Sequence, residues 1–390
     1  MRVVHVITRL VVGGAQENTV ASVLGLRQVH GFDVQLVSGP SRGPEGSLEP
    51  LLKCAGFPVD IEPALVRPIH PWKDVFAWSR LTRRFRQSRP DLVHTHSGKA
   101  GFLGRLAAAR AGVPIIVHTI HGPSFGPFQG AAANRVFLTA ERRAARVTTH
   151  FVSVAHAMTR QYLQAGIGRP GQYTRVLSGF DVTPFLNPPS REAIRSRAGF
   201  AASDLVVGTV ARLFKLKGHD DLIDAAPALL ARCPSLRFLF VGDGAWRARL
   251  EQRVRNLGLR DRFHFAGLVD PADIPAWIGA MDILVHLSRR EGLPRALPQA
   301  LASAKPIVAC NADGAAEVCL DGTTGFLVPP GDREALTSKL LRLAGDPALR
   351  QQFGNTGREL VRNDFNLDVM IRELGALYRR LAAEKGVAVQ

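Results

Sequence analysis

Short apolar runs alternate with amphipathic stretches along this chain, and the alternation is run through twice. In the first half, runs near 2–8, 33–38, 91–96, 114–120 and 148–154 read as strands, and stretches near 15–30, 72–88, 99–111, 131–145 and 155–165 read as helices. Runs without polar alternation suit strands buried on both faces, and strands that alternate with helices build a parallel sheet. The pattern starts again with strands near 205–211, 236–242, 262–267, 282–287, 306–310 and 325–328. Between the halves lies Ser178–Ser190, rich in turn formers and with no period of its own. The chain is therefore expected to be α/β, with two Rossmann-like parallel-sheet domains: residues 1–178, a hinge at 179–190, and a second domain over 191–363. Two such domains would turn their strand C-termini toward each other across a cleft, where open α/β sheets bind ligands.

At 390 residues and 46% hydrophobic content, the chain can bury two cores of ordinary size. The first eight residues are too short an apolar run for a signal peptide, since Arg9 interrupts them, and no run approaches membrane-spanning length. A cytoplasmic protein is expected. Cys54, Cys233, Cys310 and Cys319 fall at no metal-ligand or redox spacing and are expected as buried, reduced thiols.

Charge is lopsided. Residues 1–178 hold 22 Lys/Arg against 9 Asp/Glu, a net +13, whereas residues 179–390 hold 28 against 24, a net +4. Arg80, Arg83, Arg84, Arg86 and Arg89 crowd one helix that also carries Trp72, Phe76 and Trp78. A helix of that kind can lie on an anionic membrane surface or can simply be a solvated face.

The most informative stretch is Ser288–Pro306. The apolar run ending at Leu287 reads as a strand, Gly292-Leu293-Pro294 breaks the chain, and an Ala/Leu-rich helix begins near Arg295. Free amides of a first helical turn suit a phosphate. Glu291 stands at that mouth, and Gln299 lies two turns further on, on a face shared with Arg295. The strand near 205–211 leads into Arg212-Leu-Phe-Lys-Leu-Lys217-Gly218 and then a helix, so its cations can meet the same kind of ligand. Gly13-Gly14-Ala15 opens a helix after the first strand, where backbone amides can approach a ligand closely. His94 and His96 lie at the end of one strand with Lys99 just beyond it, and His121 stands at the end of the next. Metal ligation by these histidines lacks a carboxylate or cysteine at a workable spacing.

These segments resemble the family-4 retaining glycosyltransferases of the GT-B fold, and the resemblance extends over nearly the whole chain. Glu291 is similar to the first Glu of the family's E-x7-E signature, and Gln299 stands where the family has the second Glu. Arg212 and Lys217 match the R-x4-K-G loop, while Asp313–Glu317 and Gly322–Pro329 resemble the G-x-x-E and G-x-x-G-x-L-V segments. The resemblance implies a last helix, here Asp364–Leu381 within 364–390, that crosses back to the first domain. It also implies that Arg212 and Lys217 grip the donor diphosphate and that Glu291 accepts hydrogen bonds from donor-sugar hydroxyls. The Gly292 and Leu293 amides would meet sugar and phosphate oxygens, Gln299 the ribose, and Gly13 and Gly14 the donor phosphates. His121 would be a polar contact to the sugar and reacting centre, with Ala15, His96 and Lys99 on the acceptor side and His94 structural.

The implied activity is retaining transfer of a hexosyl unit from a nucleotide sugar, a uridine-linked one being favoured. The acceptor would be a hydroxyl of a lipid-linked or polysaccharide molecule, as in cell-envelope or exopolysaccharide synthesis. No D-x-D motif occurs in the chain, so neither a metal nor another cofactor is expected. The rivals are a GT-B-type nucleotide-sugar epimerase, which would need no basic acceptor surface, and a GT-B protein that binds nucleotide without turnover. A glycoside hydrolase would need two carboxylates, and Gln299 removes the obvious partner of Glu291. A pI near 10.8 permits nucleic-acid binding, but no nucleic-acid motif accompanies it.

Overall fold

The computed structural model describes residues 1–41, 46–96, 98–126 and 128–388. The apolar runs of the first half become strands of one seven-stranded sheet: β1 Arg2–Ile7, β2 Asp33–Ser38, β3 Val59–Ile61, β4 Leu92–His96, β5 Ile115–Ile120, β6 His150–Ser153 and β7 Tyr173–Arg175. Their order is β3-β2-β1-β4-β5-β6-β7, with every pair parallel. The second half forms a six-stranded parallel sheet from β8 Leu205–Val210, β9 Leu236–Val241, β10 Phe263–Gly267, β11 Ile283–His286, β12 Ile307–Cys310 and β13 Gly325–Val328. Its order is β10-β9-β8-β11-β12-β13. Both sheets are doubly wound, and the direction of winding reverses between β1 and β4 in the first and between β8 and β11 in the second.

The chain divides into two units, Met1–Phe180 with Leu367–Gln390, and Asp181–Asn366. The last helix, Leu367–Glu384, thus belongs to the first unit, as the resemblance implies. It begins three residues later than Asp364, which instead ends the preceding helix Pro347–Asp364. Phe365 and Asn366 break the run, and the Leu367 N–H donates to the Phe180 carbonyl at 3.1 Å.

Period-2 alternation sorts the first sheet's side chains onto two faces. Val3, Ile7, Leu92, Ile115 and Val117 join a core with the helices Gly14–His30 and Leu367–Glu384. Val4, Val6, Val93 and Ile116 join a second core with the helices Pro71–Ser88 and Gly98–Ala111. In the other unit, Val207, Phe238, Phe240, Ile283 and Val308 anchor a core with the helices His219–Arg232 and Arg333–Gly345.

Two of the four expected buried thiols are buried, Cys310 and Cys319; Cys54 is exposed and Cys233 half-buried, because each ends a helix beside a turn. The helix Pro71–Ser88 buries Ala77, Leu81 and Phe85 and leaves Trp72 and Phe76 73% and 58% exposed. No described helix is long and apolar enough to cross a membrane.

Candidate active site

In the second unit, the loops after β8 and β11 adjoin where the sheet reverses. Arg212–Gly218 follows β8, and its Leu216 carbonyl accepts from the Arg289 N–H at 2.8 Å, which ties it to the loop after β11. Gly218 is required at its position. Its φ is +76°, and a Cβ there would lie 2.3 Å from the Leu287 carbonyl oxygen. Leu216 also holds a positive φ, 74°, which costs a branched residue about 1–2 kcal/mol and concentrates strain beside the cations.

Glu291 is the centre of this cluster. Its carboxylate pairs with the Lys217 ammonium, and its Oε1 lies 3.3 Å from His286 Nε2. Burial alone would push the carboxyl up, but the Lys217 charge and His286 outweigh it and hold Glu291 well below the usual carboxylate range. Its backbone N–H donates to Asp313 Oδ2 at 2.7 Å, and the Gly314 N–H donates to the Gly292 carbonyl at 3.1 Å. Asp313 makes that contact from a left-handed conformation, φ 49°. Arg289 pairs with Asp221 at 2.8 Å, so that arginine braces the loop. Arg212 is different: it is exposed, its guanidinium lies 5.3 Å over the Phe214 ring, and it pairs with no carboxylate among the described residues. Gln299 is half-buried on the short helix Ala296–Ala302. An anion arriving here would meet Arg212 directly and draw Lys217 from Glu291. The freed carboxylate could then accept from hydroxyls.

The first unit collects polar groups at its own reversal point. His5 on β1 and His94 on β4 are register partners, and His94 and His96 share a face with Thr119 of β5. His5, His94 and His96 are 0–1% exposed. Burial lowers His5 to about 3, and burial together with the neighbouring imidazoles holds His94 and His96 well below the ordinary histidine value. His121 stands half-buried after β5, its Nε2 3.0 Å from His96 Nδ1. Gly13 caps the helix Gly14–His30, Gly14 is exposed, and Ala15 is half-buried.

The two tentative acceptor contacts next to this cluster take other roles. His96 is fully buried among histidines, so it reaches a ligand only through His121. Lys99 is 12% exposed, with its ammonium held by Asp74 at 2.5 Å and by the Pro68 carbonyl, so its charge fastens helix to helix. Gly292 and Leu293 are buried and can offer only backbone. Sequence reasoning passed over His286, Asp313 and His5. His286 had a signal, a histidine at the last position of an apolar strand five residues before Glu291. His5 had none, since its partners lie about ninety residues away along the chain.

Two family models match this chain: "Glycosyl transferase 4-like domain" over residues 13–179 and "Glycosyl transferases group 1" over residues 190–360. A UDP-Gal:alpha-D-GlcNAc-diphosphoundecaprenol alpha-1,3-galactosyltransferase of Escherichia coli is 27% identical over 83% of this chain and 84% of its own length. The putative glycosyltransferase EpsD of Bacillus subtilis (strain 168) is 30% identical over 69% of this chain and 71% of its own. Among solved structures, Anabaena Alr3699/HepE in complex with UDP superposes with a TM-score of 0.82, at 24% identity, covering 97% of this chain and all of that one.

Proposed function

This chain belongs to the family-4-like, group 1 glycosyltransferases and has their GT-B fold, and on that premise we propose the donor, acceptor and chemical course of its hexosyl transfer. The donor is a nucleotide sugar, with UDP favoured, since the Escherichia coli relative is named for UDP-galactose and the Anabaena structure holds UDP. The acceptor is a hydroxyl of a lipid-linked or polysaccharide molecule, and the Escherichia coli relative is named for a diphosphoundecaprenol-linked acceptor.

The observation that carries this reading is the Lys217–Glu291–His286 cluster beside Arg212, which pairs with no carboxylate among the described residues. Arg212 and Lys217 meet the negative charge that develops on the departing diphosphate, which is where fixed cations do most. Each charge-assisted contact of this kind contributes about 1.5–3 kcal/mol. Glu291, kept ionised by its neighbours, accepts from sugar hydroxyls, and Gln299 accepts from a ribose hydroxyl through its side-chain oxygen. The bond from the anomeric carbon to the diphosphate oxygen breaks as the acceptor oxygen bonds from the same face, and the acceptor proton leaves with the diphosphate. Configuration is retained. With two side-chain cations on the diphosphate and no D-x-D motif, the transfer proceeds without a divalent ion or other cofactor. The resemblance gives His121 a polar contact to the transferred sugar, and Gly13, Gly14 and Ala15 the backbone of the phosphate and acceptor side.

We further propose that the enzyme works in the cytoplasm at an anionic membrane. Ile69, Trp72, Val75 and Phe76 are exposed together, next to Lys73 and Arg83. Arg80 and Arg84 contribute less, since Glu62 and Asp60 pair with them. Co-sedimentation with phosphatidylserine vesicles, lost in Trp72→Ala/Phe76→Ala, tests this part; equal binding to neutral vesicles removes the electrostatic argument.

The donor reading is tested by thermal shift against UDP, GDP, ADP and dTDP, with Arg212→Ala as control. UDP should raise the melting temperature of the wild type and not of the variant. A response to none of the four would remove the proposal.

A further inference from the structure

The segment that carries Glu291 hangs between two residues in the left-handed region. Among the described residues, four other than glycine have a positive φ, and Leu216 and Asp313 are two of them. Each accepts from this segment. The Leu216 carbonyl takes the Arg289 N–H at 2.8 Å, and Asp313 Oδ2 takes the Glu291 N–H at 2.7 Å. One residue further on, the Gly314 N–H donates to the Gly292 carbonyl at 3.1 Å. Asp313 and Gly314 thus grip two successive residues, one through a side chain and one through backbone. Their own segment is well anchored: Gly314 and Ala315 are buried, the Asn311 N–H donates to the Val328 carbonyl at 2.8 Å, and the Cys319 N–H to the Ala315 carbonyl at 2.8 Å.

A turn alone does not call for aspartate at a φ of 49°. Glycine adopts this region without steric cost, whereas aspartate is tolerated there because its side chain is short and polar. What Asp313 adds to the turn is an acceptor. A carboxylate that takes a backbone N–H makes a charge-assisted bond, stronger than its neutral counterpart. Burial pushes the Asp313 carboxyl up, and the Glu291 N–H acts against that shift. The Lys217 contact to Glu291 is of another kind, because an arriving diphosphate competes for the same ammonium. The Asp313 contact is made to the Glu291 backbone, so it does not compete with a ligand for the Glu291 carboxylate.

We propose that Asp313 is a positioning residue for the transfer reaction: it holds the Glu291 peptide so that the carboxylate stays at the sugar once Lys217 has turned to the diphosphate. This rests on the reading of the loops after β8 and β11 as a donor site. Asp313 acts through Glu291 alone. Its loss is felt in the sugar step and not by the diphosphate, whose cations stand on the loop after β8.

Asp313→Gly keeps the backbone conformation and removes the acceptor, whereas Asp313→Asn keeps the conformation and a neutral acceptor. The assay is hydrolysis of UDP-glucose or UDP-galactose, whichever the wild type turns over faster. Asp313→Gly should lose about tenfold in kcat, with KM held within about threefold. UDP should raise the melting temperature of that variant as much as that of the wild type. Asp313→Asn should recover most of the lost rate. In the Glu291→Gln background, Asp313→Gly should cost less than about twofold, because the group it positions is gone. A wild-type rate in Asp313→Gly overturns the proposal, as do equal losses in the two backgrounds. A UDP response lost in parallel with the rate also overturns it, since Asp313 would then only shape the loop. If Asp313→Gly does not fold, hydrogen exchange on the wild type decides: the Glu291 amide should exchange at least about tenfold more slowly than a free amide, and an unprotected one overturns the proposal. Failure of UDP to shift the wild type would instead sink the donor reading and leave the Glu291 amide protected.

Discussion

At the scale of single residues, Glu291 and Gln299 divide the labour of the candidate donor site. Glu291→Gln removes the charge that holds Lys217 and the acceptor for sugar hydroxyls. Free UDP should bind the variant at least as well, because Lys217 is released toward the diphosphate. Turnover of the sugar nucleotide should fall about ten- to a hundredfold, matching the loss of one charge-assisted hydrogen bond. Calorimetric titration with UDP beside a hydrolysis assay separates the two; parallel losses would mean that Glu291 only shapes the loop. Gln299→Glu exchanges a neutral acceptor for a charged one and should tighten nucleoside diphosphate binding about five- to tenfold, or ~1 kcal/mol. Unchanged or weaker binding would show that Gln299 does not face the ribose. Arg212, Lys217 and Glu291 could be read in the sequence because each lies in a loop between a strand and a helix and matches a motif of the family resemblance. Asp313 could not, since what matters about it is a distance to Glu291 rather than a spacing, whereas His286 had its place at the end of an apolar strand as an unused signal.

The same distinction holds among the elements. Both sheets were legible as apolar runs because strands buried on both faces carry no polar alternation. β3 and β7 were missed. Each is a three-residue strand at a sheet edge, mostly half-buried, with too few residues to show a period. The break at Phe365–Asn366 was also missed, because apolar residues continue across it without Gly or Pro. The element that most directly steadies the site is the helix Pro347–Asp364, which lies against Ala296–Ala302. A Cβ on Gly354 would lie 2.1 Å from the Ala304 carbonyl oxygen, and one on Gly357 would lie 2.3 Å from Leu301 Cδ2. Gly354→Ala must move backbone and should cost about 1–3 kcal/mol, read from chemical denaturation, with a weaker UDP response because the Gln299 helix shifts. A fully stable variant would show that the helix pair has slack.

At the scale of the whole molecule, the last helix makes the first unit discontinuous in sequence, and its Tyr378 hydroxyl meets His94, 284 positions earlier. That core carries a liability in acid. His5 lies at about 3, and His94, His96 and His118 lie well below the ordinary value, all chiefly through burial. In the unfolded chain each titrates near ~6.5. Below that pH the unfolded state binds protons that the folded state refuses. Stability is therefore complete above pH ~6.5 and is lost as pH falls, by on the order of 1.4 kcal/mol per pH unit for each such histidine. The second unit bears the same liability through His219, lowered to about 3 first by burial and then by His286 and Lys217. The first unit concentrates more of these groups on two adjacent strands, so it should open first. Hydrogen exchange at pH 5 and pH 7 reads this directly: amides of β4 and β5 should lose protection at pH 5 before those of β9 and β11. Equal loss in both sheets would mean that the buried histidines of the first unit do not make it the weaker of the two in acid.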